Sequence, residues 1–135
     1  MKRSLFAICF LLCAIAQGQN SNASFVKDNF TKMDTTIAMR DGIKLYTVIY
    51  IPKDGAEKYP FLMERTPYSA APYGADNYAG RLGPGEALMR EKYIFVYQDV
   101  RGRYMSEGVN LEVTPYIAGK KNTTQVDESS DTYDT

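Results

Sequence analysis

Residues 59–68, YPFLMERTPY, run a short apolar segment into Tyr68 on a turn braced by Pro67. A phenol stays protonated at neutral pH and donates hydrogen bonds. Pro67 restrains the backbone dihedral beside it and so helps fix the direction of the turn. The rest of a catalytic centre is missing. The chain has no histidine, shows no nucleophile motif, and carries its two cysteines, Cys9 and Cys13, close to the N-terminus. The residues therefore read as part of an active site without the groups that break a bond. The plainer reading of Tyr68 is a half-buried tyrosine near a strand end.

Asp99-Val100-Arg101-Gly102-Arg103 follows an apolar stretch and would sit at the carboxyl end of a central strand, the edge where open α/β sheets bind ligands. A structural role is favoured. Asp99 is expected to pair with Arg101 or Arg103 to hold the loop, and Gly102 to supply a conformation other residues resist. Tyr73 and Tyr78 lie in the loop after Tyr68, where they either line a substrate pocket or simply pack. Gly80, Gly83 and Gly85 lack the strand-to-turn context of a dinucleotide fingerprint. Asp127, Glu128, Asp131 and Asp134 lack the spacing and central glycine of an EF-hand and read as a helix-start cluster. No histidine and no cysteine in the mature chain leave little to build a zinc site from. No cofactor and no metal are expected.

The elements that must position these groups begin after a targeting segment. Lys2 and Arg3 precede an apolar run from Leu5 to Ala16, with Ala14 and Ala16 at the small-residue positions of a signal peptidase site. Residues 1–16 are expected to be a signal peptide cleaved after Ala16, which makes the protein secreted or periplasmic. The run is shorter than the roughly 20 residues that cross a bilayer, so no stable membrane insertion is expected after its removal. The whole chain balances 16 basic against 16 acidic residues, and losing Lys2 and Arg3 leaves a slightly acidic mature part. That gives no footprint for nucleic acid. Residues 17–34 are polar and without sustained period, and are expected to form a flexible leader.

From Thr35 a strand-like stretch meets Asp41-Gly42, after which Ile43, Leu45, Thr47, Ile49 and Ile51 alternate with Lys44, Tyr46, Val48 and Tyr50. This predicts an antiparallel hairpin, because both turn positions tolerate positive φ. Tyr59–Arg65 is predicted as a third strand, and the Gly- and Pro-rich stretch to Gly85 as an irregular loop. Glu86–Lys92 is predicted as a short helix with Ala87, Leu88 and Met89 turned inward. Tyr93–Tyr97 is apolar at every position, so both faces of that strand need cover, as at the centre of a parallel sheet. Asp127 is placed to cap a last helix that runs to Thr135. The order describes an α/β fold: the N-terminal part of an open sheet, an antiparallel hairpin leading into parallel strands, incomplete as it stands.

Four ordered blocks carry a resemblance. They are Met39-Arg40-Asp41-Gly42-Ile43-Lys44-Leu45, Glu64-Arg65-Thr66-Pro67-Tyr68, Gln98-Asp99-Val100-Arg101-Gly102-Arg103-Tyr104-Met105-Ser106-Glu107-Gly108, and Asp127-Glu128 through Tyr133-Asp134-Thr135. Together residues 35–135 resemble the N-terminal region of the family of X-Pro dipeptidyl-peptidases, α-amino acid ester hydrolases, cephalosporin-side-chain acylases and cocaine esterase. The resemblance implies an α/β-hydrolase core with a helical cap, a C-terminal jelly roll and a Ser-Asp-His triad. Its nucleophile elbow, G-x-S-Y-x-G-like, would follow Thr135. It also implies that Tyr68 donates its phenolic hydroxyl into the oxyanion hole. In α/β-hydrolases one oxyanion donor comes from the loop after the third strand, which is where Tyr68 stands. The expected activity is a serine hydrolase acting on a small ester, amide or short peptide, with this chain inactive alone. The alternative is a small secreted module that binds sugar or peptide through its tyrosine-rich loop, favoured by the 11 tyrosines and opposed by the strand that is apolar on both sides.

Overall fold

The alternation of Lys44–Pro52 and the apolar run that begins at Ile94 form the two inner strands of a four-stranded sheet. The structure is a computed structural model, and it describes residues 21–55, 58–112 and 114–135. The expected signal peptide, residues 1–16, lies outside the described residues. Helix α1 (Ser21–Asn29) leads into β1 (Phe30–Ala38), followed by β2 (Lys44–Pro52), β3 (Phe61–Thr66), α2 (Glu86–Arg90), β4 (Ile94–Asp99) and α3 (Glu128–Asp134). The strand order is β1-β2-β4-β3. β1 with β2 and β2 with β4 are antiparallel, whereas β3 with β4 is parallel, so the sheet is mixed.

The hairpin forms, but it is longer than the sequence suggests. Its ladder runs from Phe30 opposite Pro52 to Ala38 opposite Lys44. The turn spans Met39–Ile43, closed by Gly42 N–H donating to the Met39 carbonyl at 2.8 Å and Met39 N–H donating to the Ile43 carbonyl at 2.8 Å. Only Gly42 of the Asp-Gly pair adopts positive φ, at +87°. This is the three-residue hairpin loop that places glycine at its left-handed position. The expected flexible leader is corrected over residues 21–34, which form α1 and the first half of β1. Val26 and Phe30 enter the core fully buried, and that tertiary burial orders a segment whose local pattern is weak.

One face of the sheet is well covered. Val48, Tyr50 and Phe95 pack there against Val26 of α1, Met89 of α2, and Ala70 and Leu82 of the intervening loop. Tyr50 meets Tyr97 and Tyr78 edge to face at centroid distances of 6.1 and 6.2 Å. Such pairs add about 0.5–1.5 kcal/mol beyond area burial. Met89 alone carries α2 into this core. Leu88 is half-buried and Ala87 faces out, contrary to the expectation for Ala87. The helix also stops at Arg90 instead of Lys92, because Glu91 takes an extended conformation.

The opposite face is covered only at one end. There Thr135, at the end of α3, donates its hydroxyl to Gln98 at 3.2 Å. Beyond that contact an apolar groove of about 230 Å³ lies open between Ile37, Ile49, Phe61, Met63, Ile94 and Val96. Phe61 is 63% exposed. β4 therefore has apolar residues on both faces, as its sequence predicts: Phe95 is buried on the covered face, while on the other Val96 is buried and Ile94 is left half-buried beside the groove.

Candidate active site

In the parallel pair β3–β4, Thr66 stands opposite Asp99, so the loops that follow the two strands leave the sheet at the same edge. The first carries Tyr68. Its ring is 82% exposed and borders an open cleft of about 580 Å³ formed with Pro67, Val100, Arg103, Asn110 and Leu111. The backbone around it is held at three points. Tyr68 N–H donates to Thr66 Oγ1 at 3.0 Å, Arg103 Nε donates to the Pro67 carbonyl at 3.2 Å, and Ala70 N–H donates to Asp99 Oδ1 at 2.6 Å. Between them Ser69 sits at φ +95°, a region that non-glycine residues avoid.

Asp99 does not pair with either arginine, which corrects the sequence expectation. Its fully buried carboxylate accepts from Ala70 N–H, from the Tyr73 hydroxyl at 2.8 Å and from Met105 N–H at 3.2 Å. Arg101 instead bridges Asp41 at 2.8 Å and Asp131 at 2.7 Å, tying the hairpin turn to α3. The Asp131 carboxylate, and then Asp41, hold the Arg101 guanidinium far above its ordinary value, so it is a permanent cation. Arg103 grips the Pro67 carbonyl and lines the cleft. The physical reason is geometric: the turn after β4 sends both arginines away from the carboxylate and brings the Met105 N–H to it, while the loop after β3 brings the Ala70 N–H. Gly102 makes that turn at φ +68°, and a Cβ there would run into the backbone of Val109 and Asn110.

Tyr73 and Tyr78 do not line the cleft at Tyr68. Tyr73 is half-buried, edge to face with Tyr46, with its hydroxyl on Asp99 and 2.9 Å from Ser69 Oγ. Burial and the Asp99 carboxylate outweigh the Ser69 contact and raise its pKa, keeping the phenol protonated. Tyr78 packs on the core beside Tyr50.

The acidic residues near the end of the chain each have a separate task. Asp127 caps α3 by accepting from Ser130 N–H at 2.9 Å, while Ser130 Oγ accepts from Asp127 N–H at 2.8 Å. The Ile117 N–H, followed by Lys120, holds the Asp127 carboxyl well below the usual carboxylate range. Glu128 pairs with Arg65, Asp131 with Arg101, and Asp134 with Arg40, each at 2.7 Å. These pairs dock α3 on the sheet, and Arg65 also donates to Gln98 at 2.8 Å.

Sequence reasoning missed two residues that hold the Tyr68 loop. Lys32 is buried on β1 and donates to the Pro72 and Gly74 carbonyls, both at 2.7 Å. Asp34 accepts from Gly74 N–H at 2.6 Å and from the Tyr46 hydroxyl at 2.7 Å. A charged pair two residues apart in a polar stretch looks like a solvated edge, and nothing local marks it as the anchor of a loop some 40 residues on.

An open mixed sheet in order β1-β2-β4-β3, with two loops converging at the carboxyl end of its parallel pair, defines an α/β fold whose loops meet at the edge where such sheets bind ligands. The model of the X-Pro dipeptidyl-peptidase (S15) family matches residues 41–135, and the chain belongs to that family. It is similar to a crystal structure of an aminopeptidase from the marine sediment archaeon Thaumarchaeota archaeon, with 40% identity and a TM-score of 0.64. It is also similar to a selenomethionine-labelled α-amino acid ester hydrolase, with 35% identity and a TM-score of 0.60. Each match covers 78% of this chain, which spans 18% of the length of either relative. No curated protein matches.

Proposed function

We propose that residues 21–135 belong to the N-terminal portion of a secreted or periplasmic serine hydrolase that cleaves ester or amide bonds, including those of α-amino acid esters or X-Pro peptides. A serine contributed by the remainder of the enzyme gives its hydroxyl proton to a general base there and attacks the carbonyl carbon, and the carbonyl π electrons move onto oxygen. Tyr68 O–H and a backbone N–H donate to that oxygen. Collapse of the tetrahedral intermediate restores the carbonyl and expels the alcohol or amine, which takes up a proton. Water then repeats the sequence on the acyl-enzyme and releases the acid.

The observation that carries this reading is the place of Tyr68: an exposed phenol on a rigidly held turn at the carboxyl end of β3, beside a cleft of enzyme-site size. The apolar groove on the second sheet face supports the partial character of the unit, since a self-sufficient module would not leave Phe61 exposed at the mouth of an open apolar groove. It also weighs against the binding-module alternative.

The test compares two products of the gene, the 135-residue chain and one extended through the downstream sequence. The extended product is expected to hydrolyse α-amino acid esters or X-Pro anilides and to lose that activity on labelling by a fluorophosphonate. The short one is expected to be inactive and to bind a hydrophobic dye. Hydrolysis by the short chain, or an extended product that turns over without reacting with the fluorophosphonate, contradicts the proposal.

A further inference from the structure

We infer that Asp99 is the positioning residue of the oxyanion loop: its buried carboxylate sets where the Tyr68 hydroxyl stands, through Ala70 and Tyr73. The inference rests on the oxyanion reading of Tyr68 and deepens it.

A carboxylate with no exposure needs compensation in full, or it destabilises the fold. Neither neighbouring arginine touches Asp99, since Arg101 is engaged by Asp41 and Asp131 and Arg103 by the Pro67 carbonyl. Among the described residues the compensation comes from three donors on two loops: Ala70 N–H and Tyr73 O–H from the loop after β3, and Met105 N–H from the loop after β4. Charge-assisted bonds of this kind are short and strong, so the donors take their places from the carboxylate. Ala70 is two residues from Tyr68, and the residue between them, Ser69, is held at φ +95°. Such a conformation persists only where its surroundings over-determine it. The pull of Asp99 on Ala70 N–H, together with the Ser69 Oγ contact to Tyr73, fixes the reversal that turns the Tyr68 ring out to the cleft.

The consequence is specific to the transition state. An oxyanion donor acts on charge absent from the ground state, so misplacing it lowers kcat and leaves KM nearly unchanged. A displacement of about 1 Å at a reacting group can cost up to about 10²-fold. In Asp99→Asn the amide oxygen can still accept from Ala70, but its NH₂ group then faces Met105 N–H donor to donor. The loop is expected to shift, with kcat falling roughly 10- to 100-fold.

The experiment is a double-mutant cycle in the extended gene product, with kcat and KM measured for one α-amino acid ester in the parent, Asp99→Asn, Tyr68→Phe and the double variant. If Asp99 acts through the Tyr68 hydroxyl, the double variant is as slow as Tyr68→Phe alone, and Asp99→Asn lowers kcat only when that hydroxyl is present. With Tyr68→Phe impaired, an Asp99→Asn effect that multiplies in the double variant, that is absent, or that falls on KM overturns the positioning role and leaves the oxyanion reading intact. A Tyr68→Phe enzyme at full speed removes both. Should Asp99→Asn fail to fold, Tyr73→Phe takes its place in the same cycle. It deletes one donor to the carboxylate and keeps the ring, and the same pattern of outcomes decides.

Discussion

Tyr50 and Tyr46 show how single residues here report on their surroundings. Burial comes first in pushing both phenols up to about 12 from an ordinary 10.0, and Tyr46 is raised further by the Asp34 carboxylate it donates to. A folded pKa above the unfolded one means that the folded state favours the protonated phenol. The stability this contributes is fully present below the unfolded value and is lost as pH rises through the folded one. The unfolding midpoint in urea is accordingly expected to drop steeply between pH 10.0 and about 12. A midpoint that stays level across that window contradicts the assigned environments. At this scale the position of Tyr68 was legible, because a strand running into Thr-Pro-Tyr fixes what comes at its end. The partner of Asp99 was not. Opposite charges two and four residues away suggested an ion pair, but donors to a buried carboxylate are as readily backbone N–H groups, and those carry no sequence signal.

Among the elements, α2 hangs on one side chain. Only Met89 of its residues is buried in the core, where it joins Phe95 and Phe30. Met89→Ala is expected to destabilise the fold by about 2–5 kcal/mol, as large-to-small core changes do. Ala87→Ser, on the exposed face, is expected to stay within about 0.5 kcal/mol. Equal effects of the two substitutions in urea unfolding would show that the helix packs by a different face. Strands β2 and β4 were readable because a period of two and an unbroken apolar run are strong signals. The boundary of β1 was not, since Phe30-Thr31-Lys32-Met33-Asp34 mixes charge into its inward positions and becomes a strand only by pairing along β2. The capping of α3 by Asp127 was readable from the residue type at a helix start. Its docking was not, because the arginines that receive it come from three separate parts of the chain.

For the molecule as a whole, two sheet faces tell different stories. One is closed by α1, α2 and the Tyr68 loop around a continuous core, and the other has an open apolar groove with Phe61 exposed and Met63 and Ile94 half-buried along it. The apolar run at Ile94–Tyr97 foretold that asymmetry, since a strand apolar on both sides needs cover on both. What the closed face accomplishes is to hold the Tyr68 loop from beneath: Lys32 and Asp34 at its far end, Asp99 and Arg103 at its near end. The loop is thus a fixed part of the sheet edge, which is what the proposed oxyanion role of Tyr68 requires of a donor that meets charge only in the transition state. The most direct measurement is kcat for an α-amino acid ester in the extended gene product, compared between the parent enzyme and its Tyr68→Phe variant. The account predicts a fall of about 10²- to 10³-fold with KM little changed. An unchanged kcat would contradict it.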